Sequence, residues 1–257
     1  MTYSSVRLYL HISRRFRNFP ELIQAIRKGG SVDHASLRNG LQFHHPPGRD
    51  GLVSVLVETW IEEAYTGSGF YVPKAGDLVL DIGANVGVFA IYLAHQNPEC
   101  QIIAIEPFPE NFEYLRRNLE VNRIRNVEAR QTALAAGTCT GYMVEVGTRS
   151  LDHVLRADPA GGVCYQVDTC SLGDLLDLSG TSHVSLLKMD IEGSEYDVFA
   201  QADPAILSRF ERIAVEYHDN LRPNTLRLLK DRLNSTHTVD VRPSTLPGCG
   251  VIRAQLL

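Results

Sequence analysis

The fold is decided by the stretch LVLDIGANVG, which spans residues 78–87. Its first three residues form a short apolar run that is typical of a buried strand, and a helical pattern follows from Val88 to Gln96. Gly83 permits a tight turn and a close approach of the backbone to a ligand, and Gly87 lets the following helix pack close to the strand. The stretch therefore predicts a strand–turn–helix unit whose turn faces a ligand.

Strands and helices alternate along the rest of the chain. The predicted strands span residues 78–80, 102–105, 127–132, 184–189, 213–217, 237–241 and 250–256. The predicted helices span residues 53–65, 88–96, 111–122, 172–178, 195–202 and 225–233, and a hairpin-like region comprises residues 141–146 and 163–167. This alternation predicts an α/β fold with helices on both faces of a Rossmann-like, doubly wound, mostly parallel seven-stranded sheet. We expect the last two strands to form an antiparallel edge hairpin, and the ligand to bind at the carboxyl ends of the parallel strands.

The composition excludes several classes of protein. The 257 residues are 44% hydrophobic and 21% charged, with a net charge of -5, which is ordinary for a globular protein. The mild acidity argues against broad nucleic-acid binding, and no apolar run approaches the ~20 residues of a membrane span. The N-terminus lacks the apolar core of a secretion signal, and the five cysteines form no CxxC pair. We therefore expect a cytoplasmic protein with reduced thiols that binds neither nucleic acid nor a membrane.

The first thirty residues are rich in basic side chains. They contain one acidic residue, Glu21, and the basic residues Arg7, Arg14, Arg15, Arg17, Arg27 and Lys28. A transit peptide or a polyanion-binding patch would explain this pattern, but the serine-rich composition of a transit peptide is missing. We favour the solvent-exposed face of an N-terminal helix. Residues 1 to about 50 are otherwise predicted to be irregular, because glycine and proline interrupt them.

Acidic residues follow the first two strands, at Asp81 and at Glu106. The Gly-x-Gly-x-x-Gly loop of a dinucleotide site is absent, because Asn85 and Val88 occupy the second and third glycine positions. A carboxylate at Asp81 would repel a pyrophosphate and suits a cationic ligand, whereas Glu106 can accept both hydroxyls of a ribose. Either acid alone would be explained as a helix cap or a loop charge. Together they favour a positively charged, adenosine-like ligand.

Three stretches resemble the class I methyltransferases and, more narrowly, the FkbM family. They are residues 76–87, the Ala104-Ile105-Glu106-Pro107 stretch, and residues 187–195, which contain the string Lys-x-Asp-x-Glu-Gly-x-Glu. The resemblance covers roughly residues 53–218 and implies an S-adenosylmethionine-dependent methyltransferase that methylates a hydroxyl of a sugar or a polyketide-type small molecule. We expect a methyltransferase domain at residues 53–257. Residues 1–52 form an N-terminal extension, expected to serve as a cap or as a contact in a homo-oligomer.

The resemblance also implies which residues bind the cofactor. Gly83 would face its methionine moiety, Glu106 its ribose, and Thr132 with Ala133 its adenine ring. The full set of expected cofactor-binding residues is Asp81, Gly83, Ala84, Asn85, Gly87, Glu106, Pro107, Phe108, Thr132, Ala133 and Asp190. Three alternatives stay open: an N-methyltransferase, an NAD-dependent oxidoreductase and a non-catalytic methyltransferase-like binding module.

Charged residues alternate within the fourth and fifth predicted strands. A register exists that places Lys188 against Glu216, as a structural ion pair, and brings Asp190 towards His218. We hypothesise that His218 accepts the proton of a hydroxyl nucleophile and that Asp190 orients its ring, while Glu192 points into the cleft. In the alternative hypothesis, Asp190, Glu192 and His218 bind a divalent metal ion that grips a diol.

Overall fold

The computed structural model describes residues 5–145, 153–159 and 163–257. The helices are α1 (Ser5–Arg15), α2 (Phe19–Lys28), α3 (Leu52–Val57), α4 (Val88–Gln96), α5 (Pro109–Val121), α6 (Leu172–Ser179), α7 (Glu195–Gln201), α8 (Pro204–Leu207) and α9 (Thr225–Leu233). A π-helical turn, Glu58–Glu62, continues α3. The strands are β1 (His34–Ser36), β2 (Gln42–His44), β3 (Leu78–Ile82), β4 (Gln101–Ile105), β5 (Val127–Arg130), β6 (Ala133–Leu134), β7 (Thr140–Glu145), β8 (His153–Arg156), β9 (Cys164–Cys170), β10 (Leu186–Met189), β11 (Arg212–His218), β12 (His237–Pro243) and β13 (Cys249–Leu256).

A seven-stranded sheet in the order β12-β13-β11-β10-β3-β4-β5 forms the centre of the molecule. Strands β5, β4, β3, β10 and β11 pair in parallel, and β13 runs antiparallel between β11 and β12. The chain builds outward from β3 to β5 and then returns to β10 on the other side of β3. The carboxyl ends of β3 and β10 therefore form the switch point where ligands bind in such sheets. The predicted doubly wound sheet and its C-terminal hairpin are confirmed.

The central strands are buried on both faces, as expected for parallel strands covered by helices. Val79 of β3 lies in one hydrophobic cluster with residues of α4, whereas the next residue, Leu80, lies in a second cluster with residues of α7 and α9. This alternation gives each face of the sheet its own core, and it fixes which side chains of a strand share a face.

A smaller sheet has the strand order β6-β9-β7-β8, and its strands come between β5 and β10 in the sequence. Strand β7 pairs antiparallel with β9, as the predicted hairpin-like region required, and also with β8 on its other edge. No pattern in the sequence indicated β8. Of the predicted region, Val146 lies outside the described residues.

The N-terminal extension is more regular than predicted. It contains α1 and α2, and the three-residue strands β1 and β2 pair antiparallel with His34 opposite His44. Ile12, Phe16 and Phe43 of the extension are buried in the same hydrophobic cluster as Ala90 of α4. The prediction of an irregular segment was wrong. The two strands are too short to leave a periodicity in the sequence, and Gly29 and Gly30, which suggested irregular structure, lie between α2 and β1.

Two further observations bear on the composition. None of the helices in the described part of the chain is long and apolar enough to cross a membrane. All five cysteines are free thiols, and three of them are buried: Cys100, Cys170 and Cys249.

Candidate active site

A cleft of about 840 Å³ opens at the carboxyl ends of the central strands, next to the switch point. This volume includes space that is open to solvent, and the cleft lies where ligands bind in open α/β sheets. The structure brings together here most of the residues predicted from the sequence. These are Gly83, Ala84, Asn85, Glu106, Pro107, Ala133, Asp190 and Glu192.

The turn after β3 approaches the loop after β10 very closely. Gly83 has φ +75°, and a Cβ atom built there would lie 1.8 Å from the carbonyl oxygen of Asp190. The Gly83 carbonyl oxygen in turn accepts a hydrogen bond from Lys188 Nζ at 2.9 Å. Glycine is therefore required here both by the backbone conformation and by the space.

Glu106 presents a fixed carboxylate to the cleft. Its Oε2 accepts a hydrogen bond from the backbone N–H of Asn85 at 2.8 Å, and its Oε1 accepts one from the N–H of Phe108 at 2.9 Å. Burial raises the pKa of Glu106 to about 7, against these hydrogen bonds. Each carboxylate oxygen keeps acceptor capacity, so the group fits the hydroxyl donors of a ribose.

Three other predicted cofactor residues, Gly87, Phe108 and Thr132, are not among the described residues that line the cleft. Gly87 lies at the N-terminus of α4. Phe108 is buried and stacks on His153, with ring centroids 3.5 Å apart. Thr132 donates a hydrogen bond through Oγ1 to the carbonyl oxygen of Asp168 at 2.8 Å.

The buried lysine of β10 has a different partner from the one predicted. Lys188 lies opposite Ala214 on β11 and opposite Asp81 on β3, and its Nζ is 3.2 Å from an Asp81 oxygen. The predicted ion pair with Glu216 was wrong, because the register of β10 and β11 sets that residue further along. Although burial opposes its charge, the Asp81 carboxylate raises the pKa of Lys188. Asp81 is thus committed to an internal pair and is fully buried.

A histidine and four carboxylates gather where β10 and β11 end. His218 Nδ1 lies 3.1 Å from Glu195 Oε1, and Nε2 lies 3.5 Å from Glu192, 3.8 Å from Asp190 and 3.9 Å from Glu216. Burial alone would lower the pKa of His218, but the hydrogen bond and charge of Glu195 and the neighbouring acids raise it to about 11. The ring is therefore a cation at neutral pH, enclosed by acids.

The residue that orients the ring is Glu195, to which the sequence analysis gave no role. Its two carboxylate oxygens accept hydrogen bonds from the N–H groups of Ile191 and Gly193, both at 2.9 Å, and it is completely buried. This loop contains Glu192 in a left-handed conformation with φ +50°. The signal was present, since Glu195 closes the Lys-x-Asp-x-Glu-Gly-x-Glu string.

Two carboxylates of the cluster, and a third group that lines the cleft, hold protons unusually well. Burial, reinforced by the charge of Asp190, raises the pKa of Glu192 to about 8 and that of Glu216 to about 9. The same two causes raise the pKa of Glu58 to about 7. Glu58 begins the π-helical turn and lines the cleft, and no motif in the sequence indicated it.

The smaller sheet supplies an apolar wall that the sequence analysis missed. Met143 of β7 and Leu155 of β8 line the cleft together with Leu134 of β6. A flat ring can pack between such side chains, next to the predicted Ala133. These residues are distant in the sequence, so only the pairing of the strands brings them together.

Asp190, Glu192 and His218 also meet a geometric requirement for a metal site. Each can offer one ligand atom, and these atoms lie within 4.8 Å of one another. Two carboxylates and an imidazole are chemically suitable ligands for a divalent cation.

Comparison with known proteins assigns the chain to one family. The family model described as the methyltransferase FkbM domain matches residues 81–235. "Methyltransferase 1" of Beauveria bassiana (strain ARSEF 2860) is 28% identical over 183 residues, which cover 63% of this chain and 72% of that protein. "31-O-demethyl-FK506 methyltransferase FkbM" of Streptomyces tacrolimicus is 26% identical over 178 residues, which cover 57% of this chain and 67% of that protein.

A solved structure has the same fold. The methyltransferase FkbM from Methylobacillus flagellatus KT superimposes with a TM-score of 0.53 at 15% sequence identity. The match covers 98% of this chain and 58% of that one. The similarity therefore includes the N-terminal extension as well as the central sheet.

Proposed function

The chain belongs to the FkbM family of S-adenosylmethionine-dependent methyltransferases, and we propose that its acceptor atom is a hydroxyl oxygen of a small molecule, a sugar or another natural product. The observation that carries the proposal is the set of cleft-lining carboxylates, Asp190 and Glu192, beside the glycine turn at Gly83. Such groups bind a hydroxyl and accept its proton. The name of the Streptomyces relative, which refers to an O-demethyl compound, is consistent with an oxygen acceptor.

The cleft fits the cofactor on its own chemistry. Glu106 offers a carboxylate for the ribose hydroxyls, and the turn at Gly83 and Asn85 offers backbone groups for the methionine part. Ala133 and the apolar side chain of Met143 suit the adenine ring. When bound, S-adenosylmethionine supplies the methyl group, which leaves its positively charged sulfur as the new carbon–oxygen bond forms.

We assign the proton-accepting role to Glu192. Its carboxylate lines the cleft, and because its pKa is raised to about 8, its ionised form is a stronger base than an ordinary carboxylate and becomes more populated as the pH approaches 8. This changes the sequence-based hypothesis, in which His218 was the base. His218 is 5% exposed, and the surrounding acids stabilise its protonated form. In this arrangement Asp190 positions the acceptor hydroxyl, and the imidazolium of His218 balances the charge of the acids.

A labelled-methyl transfer assay tests the proposal. Glycosides, macrolide-like alcohols and phenols are screened as acceptors, and the methyl group is located in each product by mass spectrometry and NMR. We expect the methyl group on oxygen, and a product methylated on nitrogen alone would overturn the proposal. We expect Glu192→Gln to lower turnover by about 10²–10⁴-fold, with unchanged affinity for S-adenosylhomocysteine. The matched control Glu120→Gln changes an exposed carboxylate of α5. Full turnover in Glu192→Gln, with loss in His218→Ala, would return the role of base to His218.

A divalent metal ion is the second candidate for activating the hydroxyl, because the ligand atoms of Asp190, Glu192 and His218 lie so close together. The two mechanisms differ in their response to chelation. With Glu192 as the base, activity survives EDTA. If EDTA abolishes activity and Mg²⁺ restores it, the metal mechanism replaces the carboxylate base.

A further inference from the structure

One wall of the cleft comes from outside the part of the chain that matches the FkbM family model. Glu58 and Thr59 begin the π-helical turn and line the cleft, whereas the family model starts at residue 81. Single π-helical turns inside helices occur frequently at functional sites.

The hydroxyl group of Thr59 needs a partner. The residue is 2% exposed, and its Oγ1 has no hydrogen-bond partner among the residues that the structure describes. Buried hydroxyl groups are normally hydrogen-bonded, because desolvation without a partner is costly. The cleft that Thr59 lines is where a bound molecule would supply that partner.

The turn lies on the acceptor side of the cleft. Among the neighbouring charges, that of Asp190, which follows β10, raises the pKa of Glu58 the most. Tyr65, just beyond the turn, donates a hydrogen bond to Glu216 of β11 at 3.0 Å. The turn at Gly83, by contrast, follows β3, on the side where Glu106 would hold the ribose.

An arginine near the C-terminus anchors the segment that directly follows this turn. The buried guanidinium of Arg253, on β13, donates hydrogen bonds to the carbonyl oxygens of Glu63 at 2.6 Å, Ala64 at 2.9 Å and Gly67 at 2.6 Å. Arg253 also lies outside the range of the family model. The N–H of Ala64 in turn donates a hydrogen bond to the carbonyl oxygen of Glu58 at 3.1 Å. The anchored segment therefore helps to preorganise the wall, which reduces the entropy lost when a ligand binds.

The charged residues that line this side of the cleft determine which kind of ligand can bind. Glu58, Asp190 and Glu192 face the cleft as hydrogen-bond acceptors when ionised, and Lys188 is engaged by Asp81 and by the backbone. An anionic group would therefore meet carboxylates and, among the described residues that line the cleft, no free counter-charge, whereas a hydrogen-bond donor would be well bound.

We propose that Glu58 and Thr59 form a recognition subsite for the acceptor, and that it takes a part of the acceptor that donates hydrogen bonds and carries no negative charge. Neighbouring hydroxyls and an ammonium group share this chemistry. The inference rests on the proposed function, because it assumes that a small-molecule acceptor occupies this side of the cleft.

Binding to the full chain saturated with S-adenosylhomocysteine tests the subsite without any methyl transfer, so its failure is distinguishable from a wrong acceptor atom. The probes are methyl α-D-glucopyranoside, its 2-amino-2-deoxy analogue and glucose 6-phosphate, followed by saturation-transfer NMR titration. We expect the first two to bind and the phosphate not to bind. Glu58→Gln should weaken binding by roughly tenfold or more, the scale of a hydrogen bond to a charged group. A larger loss for the amino sugar than for the glucoside identifies the ammonium as the preferred donor, and equal losses identify the hydroxyls.

Matched variants separate recognition from folding. Thr59→Val should weaken probe binding while Thr59→Ser preserves it, and Glu62→Gln changes an exposed carboxylate of the same turn and should have no effect. Thermal unfolding of each variant confirms that it is folded. The proposal is overturned if neither sugar binds, if the phosphate binds equally well, or if Glu58→Gln leaves sugar binding unchanged. It is also overturned if Glu58→Gln weakens S-adenosylhomocysteine binding by the same factor, since Glu58 would then contact the cofactor.

Discussion

Glu106 is the single residue on which the placement of the ribose depends. The change Glu106→Gln keeps the shape of the side chain but removes its charge, so hydrogen bonds from ribose hydroxyls become weaker. We expect S-adenosylhomocysteine to bind less tightly by about 1.5–3 kcal/mol, the range for hydrogen bonds to charged groups. Isothermal titration calorimetry measures the dissociation constant. The control Glu113→Gln alters an exposed carboxylate of α5 and should leave it unchanged. An unaltered dissociation constant in Glu106→Gln would refute the placement.

Glu195 connects the loop after β10 to the end of β11 through one carboxylate. Glu195→Gln removes a buried charge that three donors share, and it leaves the imidazolium of His218 without its closest anion. We expect the free energy of unfolding to fall by about 3–5 kcal/mol, measured by urea denaturation. The ¹⁵N chemical shifts of His218 should change as well, which a purely structural loss elsewhere would not cause.

A neighbour on the same helix provides the comparison for this variant. Asp197→Asn alters an exposed acid of α7 and is expected to stay within about 0.5 kcal/mol of the parent. If the two variants lose the same stability, or if the His218 spectrum is the same in both, Glu195 does not hold the ring.

At the scale of elements, the strands and helices that could be predicted from the sequence are those with a clear hydrophobic pattern. Strand β3 and helix α4 were predictable because a buried apolar run precedes two glycines and a helical pattern. The three-residue strands β1 and β2 were not, since so short a segment carries no measurable period. The register of β10 could not be predicted from the sequence either. Alternation fixes the face on which Lys188 lies, but not whether Asp81 or Glu216 stands beside it.

The turn between β3 and α4 allows a test at this scale, because two glycines with positive φ meet different neighbours. In Gly83→Ala the new Cβ meets the Asp190 backbone carbonyl at 1.8 Å, whereas in Gly87→Ala it meets a methyl group of Leu115 at 2.5 Å. A side-chain methyl can move, but the backbone of the loop after β10 cannot move without displacing β10. We expect Gly83→Ala to cost more than about 4 kcal/mol and Gly87→Ala about 1–3 kcal/mol. Chemical denaturation measures both. Equal losses would show that only the positive φ matters.

At the scale of the whole molecule, the candidate site is assembled from segments far apart in the sequence. Asp190 and Glu192 were predictable, since they follow a strand within a recognisable string. Glu58 and Met143 were not predictable. A π-helical turn brings Glu58 to the cleft, and the pairing of β7 with β8 and β9 brings Met143 there. The modest net charge of -5 also hid how unevenly the acids are distributed. Four of the 30 acidic residues converge at the carboxyl ends of β10 and β11, around the buried His218.

This convergence predicts how the stability of the whole molecule depends on pH. The folded protein keeps protons on Glu192 up to about pH 8 and on Glu216 up to about pH 9, whereas unfolded glutamates release theirs near pH 4.5. His218, with a pKa of about 11, also keeps a proton that the unfolded chain loses near pH 6.5. A folded state that binds more protons loses stability as pH rises, by about 1.4 kcal/mol per pH unit for each extra proton. We therefore expect the free energy of unfolding to fall from pH 6.5 to pH 9, measured by urea denaturation at several pH values.

Glu216→Gln is the variant that connects this slope to the cluster. It removes one of the acids that retain a proton, so its stability should fall less steeply with pH than that of the parent, whereas Glu120→Gln should keep the parent's slope. His45 does not confuse the comparison, because burial lowers its pKa to about 4. A depressed histidine pKa reduces stability only as pH falls below about 6.5. A parent protein whose stability is flat or rises between pH 6.5 and pH 9 would mean that the acids around His218 ionise normally. The proton-accepting role assigned to Glu192 would then lose its electrostatic basis.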